Sequence, residues 1–418
     1  MNSLDLELIE KLTELFLTGE EHNIKLAFTL MRSQHISTIP LIDQLLELNT
    51  WLNQYKTGTN GEVEPVVQYL LCLDRLYLGN KELKEVHKFI HLLVCLEHLY
   101  LQDNQLVDLP NSINQLENLE ILQLENNAFK RLPKAVSHCP NLKKLDLQNN
   151  QLSTLPQNIG CLTTLESLYL QKNQLTKIPN SIGELRQLAF LNLQTNNLRR
   201  LPEAFTNLTN LKVVHLEHNK LNQLPKYWGK LQQLSQLYLG NNYLEILPAL
   251  TCQRLQLLDV SSNIIKEFPV FSPHNANLIE LYISHNKLKK MPEGLQFLTS
   301  LRVLEAGSNT IEALPATLAQ IPNLEELGAK NNNICQLPEN IGKLSKLDYL
   351  DLAYNELAEL PNSIGNLNAL KWLYLQGNEL KELPDSMTAL TKLSFMSLEN
   401  NPIKEMPKHL QHLPCQFG

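Results

Sequence analysis

One spacing of apolar and polar residues governs the chain from residue 73 onward. The segments LEHLYLQDNQLVDLP (96–110), LEILQLENNAFKRLP (119–133) and LKKLDLQNNQLSTLP (142–156) share it, and it continues to LSFMSLENNPIKEMP (393–407). In each Leu-x-Leu core the leucines alternate with the residues beside them, which is the period of a β-strand. One strand per unit, always at the same phase, predicts parallel strands stacked in register about 4.8 Å apart. Because no unit can bury its leucines alone, the stack predicts one continuous solenoid core.

An asparagine marks the end of each predicted strand, and we call this series the ladder asparagines. Their spacing is 23 residues, except for 21 between Asn242 and Asn263, and the earliest unit carries Lys81 at this position, which makes fifteen units. A buried amide there can bond main-chain groups that would otherwise cost about 1–3 kcal/mol each. We therefore expect alanine at a ladder position to destabilise the fold far more than a change at a surface glutamine such as Gln171. The ladder asparagines are Asn104, Asn127, Asn150, Asn173, Asn196, Asn219, Asn242, Asn263, Asn286, Asn309, Asn332, Asn355, Asn378 and Asn401.

These units resemble the leucine-rich repeat family, whose consensus is LxxLxLxxNxL. The continuations LPNSINQL, LPQNIGCL and LPNSIGNL resemble its 23-residue subclass, which includes Scribble, Erbin, the plant Ras-group proteins and many bacterial proteins. The resemblance covers about four-fifths of the chain. It implies an α/β solenoid, a horseshoe with a parallel sheet on the concave face and short helical or 3-10 segments on the convex face.

The first 72 residues carry a different, helical pattern. SLDLELIEKLTELF is amphipathic and stops at Gly19, Thr18 and Glu21 have capping-box spacing for a second helix over 20–33, and Pro40 opens a third. We expect EPVVQYLL (64–71) to lead into the first strand. A solenoid needs its end covered, so we interpret 1–72 as an N-terminal helical cap and 73–418 as the leucine-rich repeat domain. The alternative is a separate docking module.

Two places depart from the regular pattern. The shortened repeat at 242–263 lacks two residues on the convex side, and prolines follow it at 269 and 273. We expect local distortion over 246–278. At the other end, PKHLQHLPCQFG (407–418) begins another return segment without a recognisable cap. That last coil is therefore self-covered, frayed or paired with a second copy, which would make a homo-oligomer.

Composition narrows the class of protein. The net charge is −7, and residues 1–72 hold ten acidic against four basic side chains, which argues against a primary nucleic-acid role. The acidic N-terminus is not a signal peptide pattern, and no apolar run approaches the roughly 18 residues of a membrane span. Seven scattered cysteines favour reduced thiols. These features predict a cytoplasmic protein without a membrane span.

No catalytic or cofactor motif accompanies the repeat. The sequence lacks GxxxxGK[ST], GxSxG and HExxH patterns. The pair His215 and His218, in HLEH, has metal-ligand spacing, but the repeat phase makes both ordinary solvated positions without a second ligand pair. We expect no cofactor, no metal and no enzymatic activity.

A surface remains as the candidate site. We call the positions four and six residues before each ladder asparagine the strand face, because they point away from the leucine core. Six of the fifteen positions four before are tyrosine, and Tyr349, Trp372 and Phe395 occupy consecutive strands at the other position. With Tyr374 they form what we call the aromatic patch. Exposed aromatic clusters typically mark interaction sites. The candidate partner-binding residues are Tyr349, Trp372, Tyr374, Phe395, Tyr354, Tyr169, Tyr238, Tyr282 and His215.

Two alternatives to partner binding stay open for the aromatic patch: the final residues, 414–417, cover it, or its rings stack only on one another. The leading hypothesis is a protein-interaction scaffold that binds a protein or peptide on the concave face. The alternative is a regulatory or targeting protein that docks a signalling enzyme or GTPase partly through the N-terminal helices, or that self-associates through its C-terminal end.

Overall fold

The computed structural model describes residues 3–416 and divides into two compact units, 1–192 and 193–418. The N-terminal unit begins with four α-helices, followed by six short parallel strands in chain order. The helices are α1 (Ser3–Leu17), α2 (Glu21–Ser33), α3 (Pro40–Gln54) and α4 (Val63–Leu71). The strands are β1 (Arg75–Tyr77), β2 (His98–Tyr100), β3 (Ile121–Gln123), β4 (Lys144–Asp146), β5 (Ser167–Tyr169) and β6 (Phe190–Asn192).

The C-terminal unit is a stack of ten parallel strands, again in chain order. They are β7 (Val213–His215), β8 (Gln236–Tyr238), β9 (Leu257–Asp259), β10 (Glu280–Tyr282), β11 (Val303–Glu305), β12 (Glu326–Gly328), β13 (Tyr349–Asp351), β14 (Trp372–Tyr374), β15 (Phe395–Ser397) and β16 (Cys415–Gln416). Short 3-10 turns such as Asn362–Asn366 lie on the return segments, after the repeat proline. The α/β solenoid expected from the repeat is confirmed.

The register of the strands follows the repeat. Leu350 of β13 pairs with Leu373 of β14, and both side chains are fully buried. A shift by one residue would turn every such leucine outward, so burial of one face fixes the register.

The ladder asparagines bond the main chain as predicted, and Asn355 illustrates the pattern. Its Nδ2 donates to the carbonyl oxygens of Ala329 and Leu352, both at 3.0 Å, and its Oδ1 accepts from the Ile334 amide at 3.0 Å. Each asparagine thereby joins its own turn to the preceding coil. Eleven of the fourteen are buried, whereas Asn104, Asn127 and Asn401 are half-buried.

The residue before each ladder asparagine adopts a left-handed backbone conformation. Tyr354 has φ of 56° and Gly377, one unit later, has φ of 69°. This conformation costs an ordinary side chain roughly 1–2 kcal/mol, so the amide bonds of the ladder must outweigh a repeated local strain.

Gln171 is not the surface residue that the sequence suggested. It is only 8% exposed, and its side-chain amide donates to the glutamine at 148 in the preceding coil. Its position, two before a ladder asparagine, lies close enough to the sheet for stacked glutamines to bury one another. Gln171 is therefore unsuitable as a neutral reference for the ladder.

The N-terminal helices differ from the prediction in two ways. Residues 64–71 lead into the first strand as expected, but they do so as a fourth helix, α4, which buries Val66, Val67, Leu70 and Leu71. The expected capping box is absent: the N-cap of α2 is Glu20, without a side-chain bond, and Thr18 Oγ1 instead accepts from the Glu20 amide at 3.2 Å.

The helices pack against the first coils of their own unit. The Gly19 carbonyl accepts from the thiols of Cys72 at 3.3 Å and Cys95 at 3.8 Å, and Gly19 has φ of 69°. The Trp51 ring lies 5.7 Å from the ring of His87. This packing is what an end cap requires, and the boundary at residue 72 stays a prediction.

The shortened repeat changes the return segment and leaves the ladder intact. Gln236 of β8 still pairs with Leu257 of β9, and Asn263 Nδ2 still reaches the Leu239 carbonyl at 3.0 Å. Within residues 3–416, the connection between β8 and β9 contains no 3-10 turn, and the next one is Pro273–Asn275. The missing residues are thus absorbed on the side away from the strands.

The last coil extends further than the repeat pattern suggested. Cys415 pairs with Met396 and Gln416 with Ser397, which gives a sixteenth strand beyond the fifteen expected units. Leu410 and Leu413 are buried beneath it. The expectation of a coil that stops on its return segment was therefore wrong.

Candidate functional site

The two sides of each strand differ sharply in exposure. On β14, Leu373 is fully buried, whereas Trp372 is 39% exposed and Tyr374 is half-buried. Strand alternation explains the difference, because the inward side meets the leucine core and the outward side meets solvent. The strand face is therefore available for contacts that the fold does not use.

The aromatic patch forms a contiguous surface, and Tyr374 lies at its centre. The Tyr374 ring is 5.4 Å from the ring of Tyr349 and 5.2 Å from the ring of Phe395, so it connects strands on either side of its own. Trp372 is aligned with Tyr349 and Phe395 in the sheet, and the Lys371 ammonium lies 5.5 Å from its ring. The three other rings rigidify one another, while Trp372 presents the most accessible apolar area.

Of the final residues that could cover the patch, the structure describes 414–416. Pro414 and Gln416 are exposed, and Gln416 extends the sheet beside Ser397. The part of this alternative that involves Phe417 lies outside the described residues. Internal stacking is present, as the ring distances show, but it leaves the Trp372 ring accessible.

His215, Tyr238 and Tyr282 lie elsewhere on the strand face of the C-terminal unit. The rings of His215 and Tyr238 are stacked at 4.4 Å, and His215 Nδ1 is 2.9 Å from the carboxylate of Glu217. The Tyr282 hydroxyl donates to Glu280 at 2.9 Å, and burial together with this carboxylate raises the pKa of Tyr282. These side chains engage neighbours already present and are half-buried, whereas Trp372 is 39% exposed beside Lys371.

Tyr354 is not a member of the aromatic patch. It lies in the left-handed turn after β13, is 53% exposed, and its ring packs over Gly377, where an added Cβ would lie 2.5 Å from ring atom Cδ1. It is an accessible aromatic residue at the edge of the sheet.

In the N-terminal unit, Tyr169 pairs with Phe190 at 4.7 Å and with the Lys144 ammonium at 5.2 Å. A second pair was not among the candidate residues: Tyr77, 56% exposed, stacks on Tyr100 at 4.6 Å. The sequence could have indicated this pair, because both tyrosines lie four residues before a ladder position, where tyrosine recurs. These pairs are candidate contacts of the N-terminal unit alone.

A group of carboxylates on the strand face of the C-terminal unit was also missed. The ten strand-face positions of β9 to β13 hold five acidic residues and no basic one. We call them the acidic tract: Asp259, Glu280, Glu305, Glu326 and Asp351. It adjoins the aromatic patch, since Tyr349 and Asp351 belong to the same strand. Adding charges across neighbouring strands, rather than along the sequence, would have found it.

Gly328 leaves room for the Glu305 carboxylate on the strand between Glu305 and Asp351. In the strand register Gly328 lies between them, and a Cβ at position 328 would overlap the Glu305 carboxylate. Burial raises the pKa of Glu305 to about 7, the Asp351 carboxylate contributes to the rise, and Lys330 opposes both. Burial likewise raises the pKa of Asp351, which accepts from the Ala353 amide at 3.1 Å. Neighbouring carboxylates that are largely buried favour protonation.

Other kinds of site find no support within residues 6–416, for which side chains are described. No group of three or more His, Cys, Asp or Glu side chains there could hold a metal ion, and His218 is exposed. None of the described helices is long and apolar enough to cross a membrane.

Comparison with protein families gives two matches along the repeat. The family described as leucine-rich repeat region matches residues 134–216 and 330–415. The family described as leucine rich repeat matches residues 96–152, 201–244 and 253–311. Comparison with curated proteins gives no match.

Solved structures with the same fold come from several organisms. A leucine-rich repeat protein of Leptospira interrogans is 32% identical, with a TM-score of 0.68 over 86% of this chain and 99% of that one. The effector protein YopM of Yersinia pestis is 28% identical, with a TM-score of 0.64 over 91% and 99%. The ectodomain of the Arabidopsis thaliana receptor kinase GASSHO1/SCHENGEN3, solved with CASPARIAN STRIP INTEGRITY FACTOR 2, is 28% identical, with a TM-score of 0.61 over 80% and 45%.

Proposed function

We propose, from the premise that this chain belongs to the leucine-rich repeat family, that it is a non-catalytic scaffold whose strand face binds a protein or peptide. The family is typically one of interaction modules, and the plant receptor ectodomain similar to this chain was solved with such a partner. The observation that carries the proposal is the accessible Trp372 within the aromatic patch, because the repeat itself does not require an aromatic residue there.

The binding energy is expected to concentrate in the aromatic patch. Buried tryptophan and tyrosine contacts dominate interfaces, and their truncation costs about 2 kcal/mol or more. The rings of Tyr349, Tyr374 and Phe395 are already packed, so little side-chain entropy is lost when a partner docks.

Affinity purification tests the proposal. The tagged chain and its Trp372→Ala/Tyr374→Ala variant would be used in parallel, with bound proteins quantified by mass spectrometry. Tyr227→Ala/Tyr243→Ala is the matched control, because these tyrosines are 54% and 56% exposed but lie off the strand face. The proposal expects partners lost with the first variant and retained with the second. Identical partners with all three proteins would refute it.

A second candidate function rests on the N-terminal helices. An apolar groove of about 400 Å³ lies between α1 and α2, lined by Leu8, Leu12, Leu15 and Leu30, together with Lys11, Glu14 and Thr18. Such a groove suits a helix or loop of a signalling enzyme or GTPase in a regulatory complex. Leu8→Lys/Leu15→Lys tests it: loss of a partner that the Trp372→Ala/Tyr374→Ala variant retains would support this second site, and retention of every partner would exclude it.

Two further features remain proposals. All seven cysteines are free thiols, which supports a reducing, cytoplasmic location. Self-association through the C-terminal coil would use the outer edge of β16, and light scattering of a truncation after Pro407 tests it. Self-association would be contradicted if light scattering gave a monomeric mass for the full-length chain and for the truncation alike.

A further inference from the structure

The acidic tract and the aromatic patch together specify the chemistry of the partner. We propose that the strand face over β9 to β15 binds a basic segment of a protein, in which lysine or arginine side chains stand next to an aromatic or large apolar side chain. This inference rests on the proposed function and goes beyond it by naming the class of ligand.

Charge complementarity is the first argument. The five carboxylates occupy strand-face positions on five consecutive strands, and all except the buried Asp351 are exposed or half-buried. The cations Arg302 and Lys330 beside them are partly engaged: Arg302 donates to Glu325 at 2.5 Å, and Lys330 lies 3.9 Å from Asp351. Because adjacent parallel strands are about 4.8 Å apart, the carboxylates repel one another. The two contacts neutralise only part of this negative charge. A cationic partner would relieve that repulsion, whereas an acidic partner would be rejected.

The arrangement of carboxylates at Gly328 is the second argument. With only hydrogen at position 328, the Glu305 carboxylate lies over Gly328, toward Asp351 on the next strand. A lysine ammonium or an arginine guanidinium of the partner placed over Glu305 would therefore interact with two neighbouring carboxylates. Arginine suits this site especially, because its planar group forms paired hydrogen bonds with a carboxylate.

Continuity with the aromatic patch is the third argument. Tyr349 belongs to β13 together with Asp351, and its ring contacts that of Tyr374 at 5.4 Å. A partner segment lying across the strands would therefore place a cation at Gly328 and an apolar side chain against Trp372. The apolar contact supplies affinity, and the charges supply orientation and selectivity.

The ionisation of Glu305 gives the complex a pH signature. Because its pKa is about 7 in the free protein, a neighbouring cation would stabilise the ionised form and lower that pKa. Affinity should therefore rise between pH 6 and pH 8. The charged and titratable groups that face Glu305 are Arg302 just before its own strand, Glu280 and Tyr282 on β10, Glu326 and Lys330 on and after β12, and Tyr349 and Asp351 on β13.

Selection from a phage-displayed library of random twelve-residue peptides tests the inference on the full chain. Strand-face binders are those retained by the native protein and lost with Trp372→Ala/Tyr374→Ala. The expected sequences carry net positive charge, with lysine or arginine near an aromatic residue. Strand-face binders without positive charge would overturn this inference and leave the proposed function standing. If no selected peptide depends on Trp372 and Tyr374, both are overturned.

Anisotropy measurements on one labelled strand-face binder complete the test. Glu280→Gln/Glu305→Gln/Glu326→Gln should weaken its binding about tenfold or more and abolish the rise with pH. The control, Asp74→Asn/Glu97→Gln/Glu166→Gln, removes the same charge from the N-terminal unit and should change the Kd less than about twofold. Equal effects of the two variants would contradict the inference. Glu305→Gln alone guards against misfolding of the triple variant and should also remove the pH dependence.

Discussion

On β14, neighbouring residues face opposite sides of one sheet and carry different information. Leu373 repeats the leucine of the other units and is fully buried. Trp372 is 39% exposed, and other units carry arginine, lysine, valine or glutamate at the same strand-face position. The inner side recurs because every coil must fill the same space and bond the same amides. The outer side varies because packing places no such demand on it. Residues that the repeat does not require are therefore where the function of this protein is to be sought.

Truncation on the two sides of β14 should differ most in the free energy of unfolding. Leu373→Ala leaves a cavity in the core and should cost about 2–5 kcal/mol, whereas Trp372→Ala should cost about 1 kcal/mol or less. Urea denaturation followed by circular dichroism measures both. Similar losses would mean that Trp372 contributes to the core as Leu373 does, which would contradict the difference between the two sides of β14.

The ladder asparagines should be the next most sensitive positions. Asn355→Ala removes the partner of the Ile334 amide and leaves the carbonyls of Ala329 and Leu352 without this donor, so we expect a loss of about 2–4 kcal/mol. Asn368→Ala, an exposed asparagine on a return segment, should change stability by less than about 0.5 kcal/mol. Thermal or urea unfolding of the pair tests this, and equal midpoints would show that the ladder bonds contribute little.

Gly377 lies in the turn that follows β14, where the backbone adopts a left-handed conformation. Gly377→Ala introduces a Cβ at φ of 69°, 2.5 Å from the Tyr354 ring, and should cost about 1–2 kcal/mol. Part of that cost is the ring contact, so Gly377→Ala should be milder when combined with Tyr354→Ala. A double-mutant cycle of unfolding free energies measures the coupling. Additive effects would show that the ring moves aside freely.

The smallest expected effect concerns the acidic tract and its pH dependence. The pKa of Glu305 is raised in the folded protein, so its contribution to stability is fully present below its unfolded pKa and is lost as the pH rises to about 7. Glu305→Gln should therefore flatten the stability profile between pH 5 and pH 8 and stabilise the protein at pH 8 by about 1 kcal/mol, after allowance for solvent screening. An unchanged profile would place Glu305 in ordinary solvent.

The sequence predicted the inner side of the solenoid well, because each unit buries leucines at the same positions of the repeat. It assigned no helix to EPVVQYLL, which forms α4, because this short segment contains strand-forming valines. It missed β16, because PCQ lacks the Leu-x-Leu core. The burial of Gln171 was equally invisible, since it depends on a glutamine in the preceding coil.

The candidate site could be predicted only in outline. The 23-residue spacing of the repeat correctly placed Tyr349, Trp372 and Phe395 on adjacent strands. It could not show that Tyr374 mediates the ring contacts, because that depends on side-chain rotamers. The acidic tract was present in the same columns, but its raised pKa values arise from burial, which the sequence does not state.

The affinity of a strand-face ligand for two matched variants tests the central claim most directly. With a selected peptide or a purified partner, the Kd of Trp372→Ala/Tyr374→Ala would be compared with that of Tyr227→Ala/Tyr243→Ala by isothermal titration calorimetry. Binding through the aromatic patch predicts a loss of about 30-fold or more for the first variant and less than about threefold for the second. Equal affinities of both variants and the native protein would contradict it.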